Sequence, residues 1–261
     1  MFPYINFMGK HISTYGIMAL FGALLSGFIS CKIARKRGFD DNDMIVLLLI
    51  SAIGVFIGSH LLYSFTHFDY IVIFITHINK IKSFQMLIDC LLPIFGGSVF
   101  YGGLIGGMIF GYIYLKKKKL PVNDYTDMVA PIIPLFHFFG RIGCFLVGCC
   151  YGVESKIGFT YEHSLNHLAN HVNRFPIQLV EATFNLILFI LLYNLLNKNK
   201  LKSKLLGLYL FLYSIGRFIF EFFRGDEYRG FIFGLSTSQF ISILVLVFSL
   251  FLLLKKENDL S

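Results

Sequence analysis

Three ionisable side chains of this sequence lie inside apolar segments, where a charge is costly. Arg141 lies in LFHFFGRIGCFLV, and Arg217 and Glu221 lie in LYLFLYSIGRFIFEFF. A charge near the centre of a bilayer costs roughly 2.5 to 3.5 kcal/mol, so such residues usually face a protein interior or a water-filled cavity and serve a function. Guanidinium groups stay charged, and their forked donors match the geometry of phosphate. These positions therefore predict the binding of an oxyanion.

The second of these segments carries the densest arrangement of charge. Arg217, Glu221 and Arg224 are spaced so that an α-helix would place all three on one face. Glu221 would orient one guanidinium group and leave other donors free, and Arg141 could reach the same place from its own segment. A purely structural arginine–glutamate network is the alternative. Several arginines against a single nearby carboxylate favour an anion site.

A third segment, RFPIQLVE, adds polar side chains at the start of another helix. Pro176 favours a helix start, which places Gln178 and Glu181 in the first turns. Glu181 would either pair with an arginine or take part in the chemistry directly. Ser236 and Gln239 have the spacing of a capping box at the start of the last helix.

Three cysteines lie close together in the sequence. Cys144, Cys149 and Cys150 could pack as small apolar residues, form a disulfide, bind a metal, or carry an acyl or redox intermediate. No CxxC spacing is present, and adjacent cysteines do not easily join one tetrahedral site. The sequence therefore predicts no metal site and no cofactor.

The composition makes lipid the solvent of these segments. Hydrophobic residues make up 56% of the 261 residues, and the mean hydropathy is +0.70. A helix of about 20 apolar residues crosses a hydrocarbon core of about 30 Å. The sequence therefore predicts an all-α, polytopic membrane protein of about seven spans, organised as a single domain over residues 1–261. The predicted spans lie near residues 12–31, 44–65, 97–115, 126–149, 177–196, 205–223 and 237–254, with a re-entrant or interfacial segment at 84–95.

Basic residues orient these spans. Lysine and arginine cluster after the first, third, fifth and last predicted spans, the last cluster being Lys255 and Lys256. The positive-inside rule then predicts an N-terminus outside the cytoplasm and a C-terminus inside it, which makes residues 150–176 the main outer loop. No basic segment precedes the first span and no cleavage site follows it, so we expect this span to be retained.

The predicted outer loop contains His163, His167 and His171 at four-residue spacing. On a helix this spacing stacks three imidazoles on one face, as a metal site or a pH-sensitive patch would require. The simpler interpretation is an amphipathic interfacial helix with hydrated histidines.

Glycines recur at four-residue intervals in two of the predicted spans. Such faces allow helix backbones to approach closely within lipid. Next to Tyr101, Gly102 and Gly103 could also admit a lipid head group to the backbone. The repeating glycines are Gly54 and Gly58, Gly102 and Gly106, and Gly103, Gly107 and Gly111.

The ligand that suits these features has an anionic head and acyl chains. An anionic phospholipid fits, because arginines would stabilise its phosphate as substrate or leaving group. This chemistry does not separate an enzyme from a lipid carrier. The sequence contains no glycine-rich phosphate loop and no nucleic-acid motif, so no nucleic-acid partner is expected.

Six groups of residues, spread along nearly the whole sequence, carry a resemblance to a known family. They are Tyr15-Gly16, Gly102-Gly103-Leu104-Ile105-Gly106, Gly140-Arg141-Ile142-Gly143 with Gly152, Arg174 to Glu181, Tyr213 to Phe218, and Glu221 to Arg224. In these residues the sequence resembles the prolipoprotein diacylglyceryl transferase family. The resemblance implies a seven-helix fold in the bacterial cytoplasmic membrane and a phosphatidylglycerol donor. The diacylglyceryl group would pass to the thiol of a lipobox cysteine in a secreted prolipoprotein, with release of glycerol phosphate.

The resemblance also implies roles for individual residues. Arg141 and Arg217 would bind the head group, with Glu221 and Arg224 as their partners, and Tyr15 would contact lipid. The further candidates for substrate binding are Gly102, Gly103, Gly152, Gln178 and Glu181.

The sequence departs from the family pattern at three positions. Tyr101 stands where the family usually has a histidine, which makes Tyr101 a candidate catalytic residue. Its phenol group, with a pKa of about 10, is a poor base at neutral pH. Cys144 and Cys149 stand where asparagine and glutamate are common. Two alternatives therefore remain: a related phospholipid-using transferase with another acceptor, and a non-enzymatic lipid-binding or flipping protein.

Overall fold

The fold consists of apolar helices joined by short loops and small hairpins. The computed structural model describes residues 1–7, 9–226, 231–232 and 234–254. Within the chain, 72% of the residues are helical, which confirms the all-α class. The helices are α1 (Thr14–Lys36), α2 (Asp41–Thr66), α3 (Phe68–His77), α4 (Phe84–Phe95), α5 (Phe100–Lys117), α6 (Val122–Val129), α7 (Ile132–Val147), α8 (Ile177–Asn197), α9 (Leu205–Phe220) and α10 (Thr237–Leu254).

The strands in the described part of the chain are short and form three two-stranded antiparallel sheets. The first sheet precedes α1, the second lies between α7 and α8, and the third precedes α10. The strands are β1 (Tyr4–Phe7), β2 (Lys10–Ser13), β3 (Glu154–Thr160), β4 (Asn173–Arg174), β5 (Phe231–Ile232) and β6 (Leu235–Ser236).

The apolar helices make this a multi-pass membrane protein. Within the described residues, six helical spans are long and apolar enough to cross a membrane, and a seventh is present if α4 and α5, which meet at a bend of 93°, count as one. This number confirms the prediction. Lys255 and Lys256, which were used to orient the last span, lie outside the described residues, and the orientation of the termini stays a prediction.

Three segments differ from the prediction. Residues 66–83, which lie between two predicted segments, contain α3, an apolar helix that the sequence did not predict. The fourth predicted span is present as one candidate membrane span, Val122–Val147, but it is divided into α6 and α7 next to Pro131, which precedes α7. The histidine helix is wrong, because His163 and His171 adopt left-handed conformations with φ of 60° and 62°, while His167 starts a 3₁₀ turn.

The chain divides into two compact units, Met1–Phe39 with Asn123–Ser261, and Asp40–Val122. In the first unit, α7 packs against both α1 and α8, and α9 packs against both α8 and α10. In the second unit, α2 packs along α5, and α4 contacts α2 and α3. The single-domain organisation stays a prediction.

Close backbone contact explains the glycines of the second unit. A Cβ added to Gly54 would lie 2.4 Å from the carbonyl oxygen of Gly106, and one added to Gly58 would lie 2.3 Å from the carbonyl oxygen of Gly102. No side chain fits at these distances. The repeating glycines therefore form the surface on which α2 and α5 pack, as the sequence predicts.

We expect Gly58→Ala to destabilise the protein by about 1 to 3 kcal/mol, because the added methyl group would force two helix backbones apart. Thermal unfolding in detergent measures the effect. Gly27→Ala in α1 is the matched control, since a Cβ at Gly27 meets no atom within 4 Å. Equal unfolding temperatures for the two variants would contradict the close packing of α2 and α5.

Candidate functional site

The centre of the first unit is a buried ion pair between two neighbouring helices. Arg141 projects from α7, and Glu181 projects from the second turn of α8, which begins directly after Pro176 as predicted. Arg141 Nη2 lies 2.5 Å from Glu181 Oε2, and the two side chains are 8% and 3% exposed. A carboxylate in the early part of α8 thus neutralises the charge that α7 carries within its apolar sequence.

A third helix joins the same charges. Arg217 Nη2, on α9, lies 2.7 Å from Glu221 Oε2, which confirms the pairing predicted from their four-residue spacing. Arg217 Nη1 lies 3.6 Å from Glu181 Oε1, so Glu181 interacts with both arginines. Arg217 Nη2 also donates a hydrogen bond of 3.0 Å to Ser238 Oγ on α10. We call Arg141, Glu181, Arg217 and Glu221 the arginine–glutamate cluster.

The balance of charge in this cluster differs from the prediction. The expected excess of arginine is wrong, because Glu181 supplies a second carboxylate and the described cluster holds two arginines and two glutamates. Pairing of Glu181 with arginine, one of the two alternatives for this residue, is observed. The cluster is therefore formally neutral.

The cluster nevertheless retains buried hydrogen-bond donors. Arg141 Nε and Arg217 Nη1 are buried and form no hydrogen bond with any described residue. A buried donor without an acceptor costs about 1 to 3 kcal/mol. Buried polar groups in this position call for an explanation, and an anionic ligand that accepts from both guanidinium groups is one.

Arg224 lies outside the helix on which it was predicted. The α-helix ends at Phe220, a 3₁₀ turn follows over Glu221–Phe223, and Arg224 is extended with φ of −84° and ψ of 136°. The predicted common face with Arg217 is therefore wrong for Arg224, whose guanidinium group forms a two-pronged ion pair with Asp226. Burial lowers the pKa of Arg224, but the charges of Cys150 and Asp226 outweigh this effect and raise it above its ordinary value.

Close packing of the backbone explains why position 152 is a glycine. It forms a β-bridge with Arg224, and a Cβ at this position would lie 2.2 Å from the carbonyl oxygen of Phe175. Gly152 therefore holds the segment after α7 against the segments that precede α8 and follow α9. Its predicted contact with substrate stays a prediction.

Gln178 connects the start of α8 to residues 144–150, which carry three cysteines and which we call the cysteine segment. Its Nε2 donates a hydrogen bond of 2.8 Å to the carbonyl oxygen of Cys149, and the Tyr161 hydroxyl donates one of 3.0 Å to its Oε1. Gln178 thereby positions the chain that carries Cys149. Direct contact between Gln178 and substrate stays a prediction.

The predicted capping box at the start of α10 is confirmed. Ser236 N donates to Gln239 Oε1 at 3.0 Å, and Gln239 N donates to Ser236 Oγ at 3.1 Å. This arrangement fixes the first turn of α10, from which Ser238 reaches Arg217.

The three clustered cysteines converge in space. The Sγ atoms of Cys144, Cys149 and Cys150 all lie within 4.8 Å of one another, and all three thiols are free. Hydrogen bonds from the other two thiols, together with the charge of Arg224, outweigh burial and lower the pKa of Cys150. Tyr15 packs nearby on α1, since a Cβ at Gly143 would lie 3.0 Å from its ring.

The remaining predicted site residues belong to the second unit. Tyr101, Gly102 and Gly103 lie in the first turn of α5 and are buried. Gly102 packs against the backbone of Gly58, which gives this glycine a structural role. The catalytic role predicted for Tyr101 and the binding roles predicted for the two glycines stay predictions.

Two buried residues of the first unit were given no role on the basis of the sequence. His137 is buried one turn before Arg141 on α7, and its ring centre lies 5.4 Å from that of Tyr213 on α9. Arg174 is buried beneath the loop, where it donates hydrogen bonds to three backbone carbonyl groups and stacks 4.3 Å above the Tyr151 ring. The spacing of His137 from Arg141 was the available signal for the first. Arg174 belongs to one of the segments that carry the family resemblance, but no role of its own was assigned to it from the sequence.

Together, the fold and site define a multi-pass membrane protein whose helices enclose paired arginines and glutamates with unused donors. The model of one family, prolipoprotein diacylglyceryl transferase, matches residues 3–255. The chain belongs to this family.

Relatives with established names agree with this assignment. The chain is 35% identical over 247 residues to a phosphatidylglycerol–prolipoprotein diacylglyceryl transferase of Clostridium tetani, covering 93% of this chain and 92% of the relative. It is 35% identical over 244 residues to transferase 2 of the same name from Clostridium perfringens, with coverage of 92% and 89%. It is 34% identical over 256 residues to the Rickettsia bellii transferase, with coverage of 94% and 91%.

Proposed function

We propose that this protein transfers the diacylglyceryl group of phosphatidylglycerol to the thiol of a prolipoprotein cysteine, at the outer face of the bacterial cytoplasmic membrane. Membership of the family supports the reaction, since the chain matches relatives named phosphatidylglycerol–prolipoprotein diacylglyceryl transferase over nearly their whole length. The observation that carries the proposal is the arginine–glutamate cluster, with its buried donors on Arg141 and Arg217.

The cluster supports this reaction through its donors. The phosphate oxygens of the lipid accept hydrogen bonds from Arg141 and Arg217, while Glu181 and Glu221 hold the two guanidinium groups in place. The acceptor cysteine reacts as its thiolate, having lost its proton to solvent. Its sulfur attacks the glycerol carbon, a C–S bond forms, the C–O bond to phosphate breaks, and the electrons of that bond leave with glycerol phosphate. Negative charge grows on the departing glycerol phosphate, where fixed guanidinium donors stabilise it more than in the ground state.

A groove on α8 and α9 is a candidate binding site for an acyl chain of the lipid. An apolar groove of about 420 Å³ lies on α8 and α9 and is open to the surroundings. In lipid such a groove accepts an acyl chain without dehydration of polar groups. Tyr15, which is 44% exposed on α1, contacts lipid in this proposal. The residues that line the groove are Leu179, Val180, Thr183, Phe184, Ile187 and Phe220.

A transfer assay tests the proposal. Protein purified in detergent receives phosphatidylglycerol labelled in its head group together with a lipobox peptide, and we expect both labelled glycerol phosphate and a diacylglyceryl peptide. A peptide with serine in place of the cysteine is the matched control and should give neither product. Glycerol phosphate without lipidated peptide would contradict the prolipoprotein acceptor.

The second candidate function is a related transferase that uses a different acceptor. It is favoured by three residues, Tyr101, Cys144 and Cys149, which replace residues that are usual in the family. Release of glycerol phosphate without peptide modification would favour it. If no release occurs but labelled lipid crosses the leaflets of proteoliposomes, a lipid carrier is favoured and both enzyme proposals fail.

A further inference from the structure

The cysteine segment has an unusual backbone that brings three thiols to one point. Helix α7 ends at Val147 and is followed by Gly148, which adopts a left-handed φ of 82°. Cys149 N then donates a hydrogen bond of 3.1 Å to the carbonyl oxygen of Cys144. Cys150 also takes a left-handed φ of 54°. This reversal allows the adjacent Cys149 and Cys150 side chains to face Cys144 together.

The conformation and the accessibility of this segment both bear on what its thiols can bind. A left-handed conformation at a residue other than glycine costs roughly 1 to 2 kcal/mol, and Cys150 is one of seven described residues other than glycine with a positive φ. Each of the three cysteines is partly exposed, so an external ligand can reach them. In the part of the chain that the structure describes, this is the one set of three or more cysteine, histidine or acidic residues arranged to hold a metal ion.

The distances between the thiols suit a small thiophilic ion. Zinc binds thiolate sulfur at about 2.3 Å, which places the sulfur atoms of a tetrahedral site roughly 3.8 Å apart. The upper limit of 4.8 Å between the sulfur atoms therefore requires only a small closing of the side chains. Soft sulfur ligands select Zn²⁺ or Cu(I) among common metals.

The surrounding charge also suits a metal–thiolate centre. Three thiolates and one Zn²⁺ carry a net charge of about −1. Arg224 and Arg141 both interact electrostatically with the sulfur of Cys150, and Arg141 also interacts with Cys144. The guanidinium groups would offset the residual negative charge of the centre.

We infer that Cys144, Cys149 and Cys150 bind one thiophilic metal ion, Zn²⁺ in the commonest case, and leave one coordination position open. Three protein ligands with an open position are the pattern of catalytic zinc sites, whereas structural sites are closed by four. This differs from the expectation drawn from the sequence, in which adjacent cysteines argued against a metal. The backbone reversal at Gly148 and Cys150 removes that objection.

The open position has a use that rests on the proposed function. A thiol that coordinates a metal is deprotonated outright, so the acceptor cysteine would lose its proton to solvent on binding. Its thiolate then attacks the glycerol carbon of a lipid whose phosphate is held by Arg141. The C–S bond forms, and the electrons of the broken C–O bond leave with glycerol phosphate. The metal would supply the deprotonation for which the phenol of Tyr101 is unsuited.

Metal binding is tested without reference to activity. Protein purified under reducing conditions without chelator is expected to contain about one equivalent of Zn²⁺. The stripped protein, titrated with Co²⁺, should show thiolate-to-cobalt charge-transfer absorption. Cys149→Ser should lower affinity by about tenfold or more, whereas Cys90→Ser, which alters a thiol of the second unit, should not.

Two results would overturn the metal site. One is the absence of charge-transfer absorption in the stripped wild-type protein, a test that does not depend on a variant folding. The other is a disulfide among the three cysteines, detected by mass before reduction, in protein that takes up no metal after reduction.

The role of the open position is tested with the acceptor. Addition of a lipobox peptide to the Co²⁺ protein should change the charge-transfer spectrum, and the serine peptide should not. Full transfer activity in metal-free protein would overturn the metal's role and leave the proposed function intact. Metal binding without any transfer would overturn the proposed function and leave the metal site intact.

Discussion

Replacing Arg217 with lysine is expected to reduce the release of glycerol phosphate by about 100-fold, although the charge is unchanged. Arg217 contacts one carboxylate on α8, one in the turn that follows α9, and the hydroxyl group of Ser238 on α10. One ammonium group cannot reach all of these and a phosphate as well. A 100-fold loss of rate corresponds to about 2.7 kcal/mol, and each lost hydrogen bond to a charged group costs about 1.5 to 3 kcal/mol, so the loss of one or two such bonds accounts for the effect. Initial rates with labelled phosphatidylglycerol measure it.

The control for this variant is Arg35→Lys. Arg35 lies near the end of α1, is exposed, and has no assigned part in lipid binding, so its replacement should leave the rate within about twofold. If Arg217→Lys releases glycerol phosphate as fast as the wild type, Arg217 does not bind the head group through its forked donors.

The second large effect is expected from Glu181→Gln, which should destabilise the protein by about 3 to 5 kcal/mol. The substitution preserves shape but removes the carboxylate that Arg141 and Arg217 share. Two buried guanidinium groups would then face one remaining glutamate. Thermal unfolding in detergent measures the loss. Glu154→Gln on β3 changes an exposed carboxylate and should unfold with the wild type.

A double variant separates the structural part of this effect from the functional part. Arg141→Met combined with Glu181→Met removes both charges and leaves the pair of Arg217 and Glu221. Replacing a buried ion pair with apolar side chains is often neutral for stability, so we expect unfolding near that of the wild type. The transfer rate should stay low, because the donors of Arg141 are gone. A stable and fully active double variant would restrict Arg141 to a structural role.

The sequence predicts the helices of this protein well because lipid leaves a simple signal. A span needs about 20 apolar residues, and the long apolar runs end at caps and basic residues that can be recognised locally. The pairing of Arg217 with Glu221 is equally local, since it depends on a spacing of four residues that persists from the last turn of α9 into the 3₁₀ turn after it. The capping box of Ser236 and Gln239 is local in the same sense.

What escaped prediction depends on contacts between segments or on single backbone angles. The second partner of Arg217 is Glu181, which comes from another helix, and no spacing in the sequence reveals it. The helix that carries Arg217 ends at Phe220, so a regular extrapolation misplaced Arg224. The convergence of the cysteines depends on the left-handed conformation of Cys150, which composition does not indicate.

The sharing of Glu181 by two arginines limits how the protein can move. If α7 moved away from α8 and α9, a guanidinium group would remain alone in a medium that cannot hydrate it, at a cost of several kcal/mol. We therefore expect α7, α8 and α9 to stay packed against one another throughout the catalytic cycle. Lipids would enter and leave by lateral diffusion past a fixed centre, and turnover would not require the alternating rearrangements of a transporter.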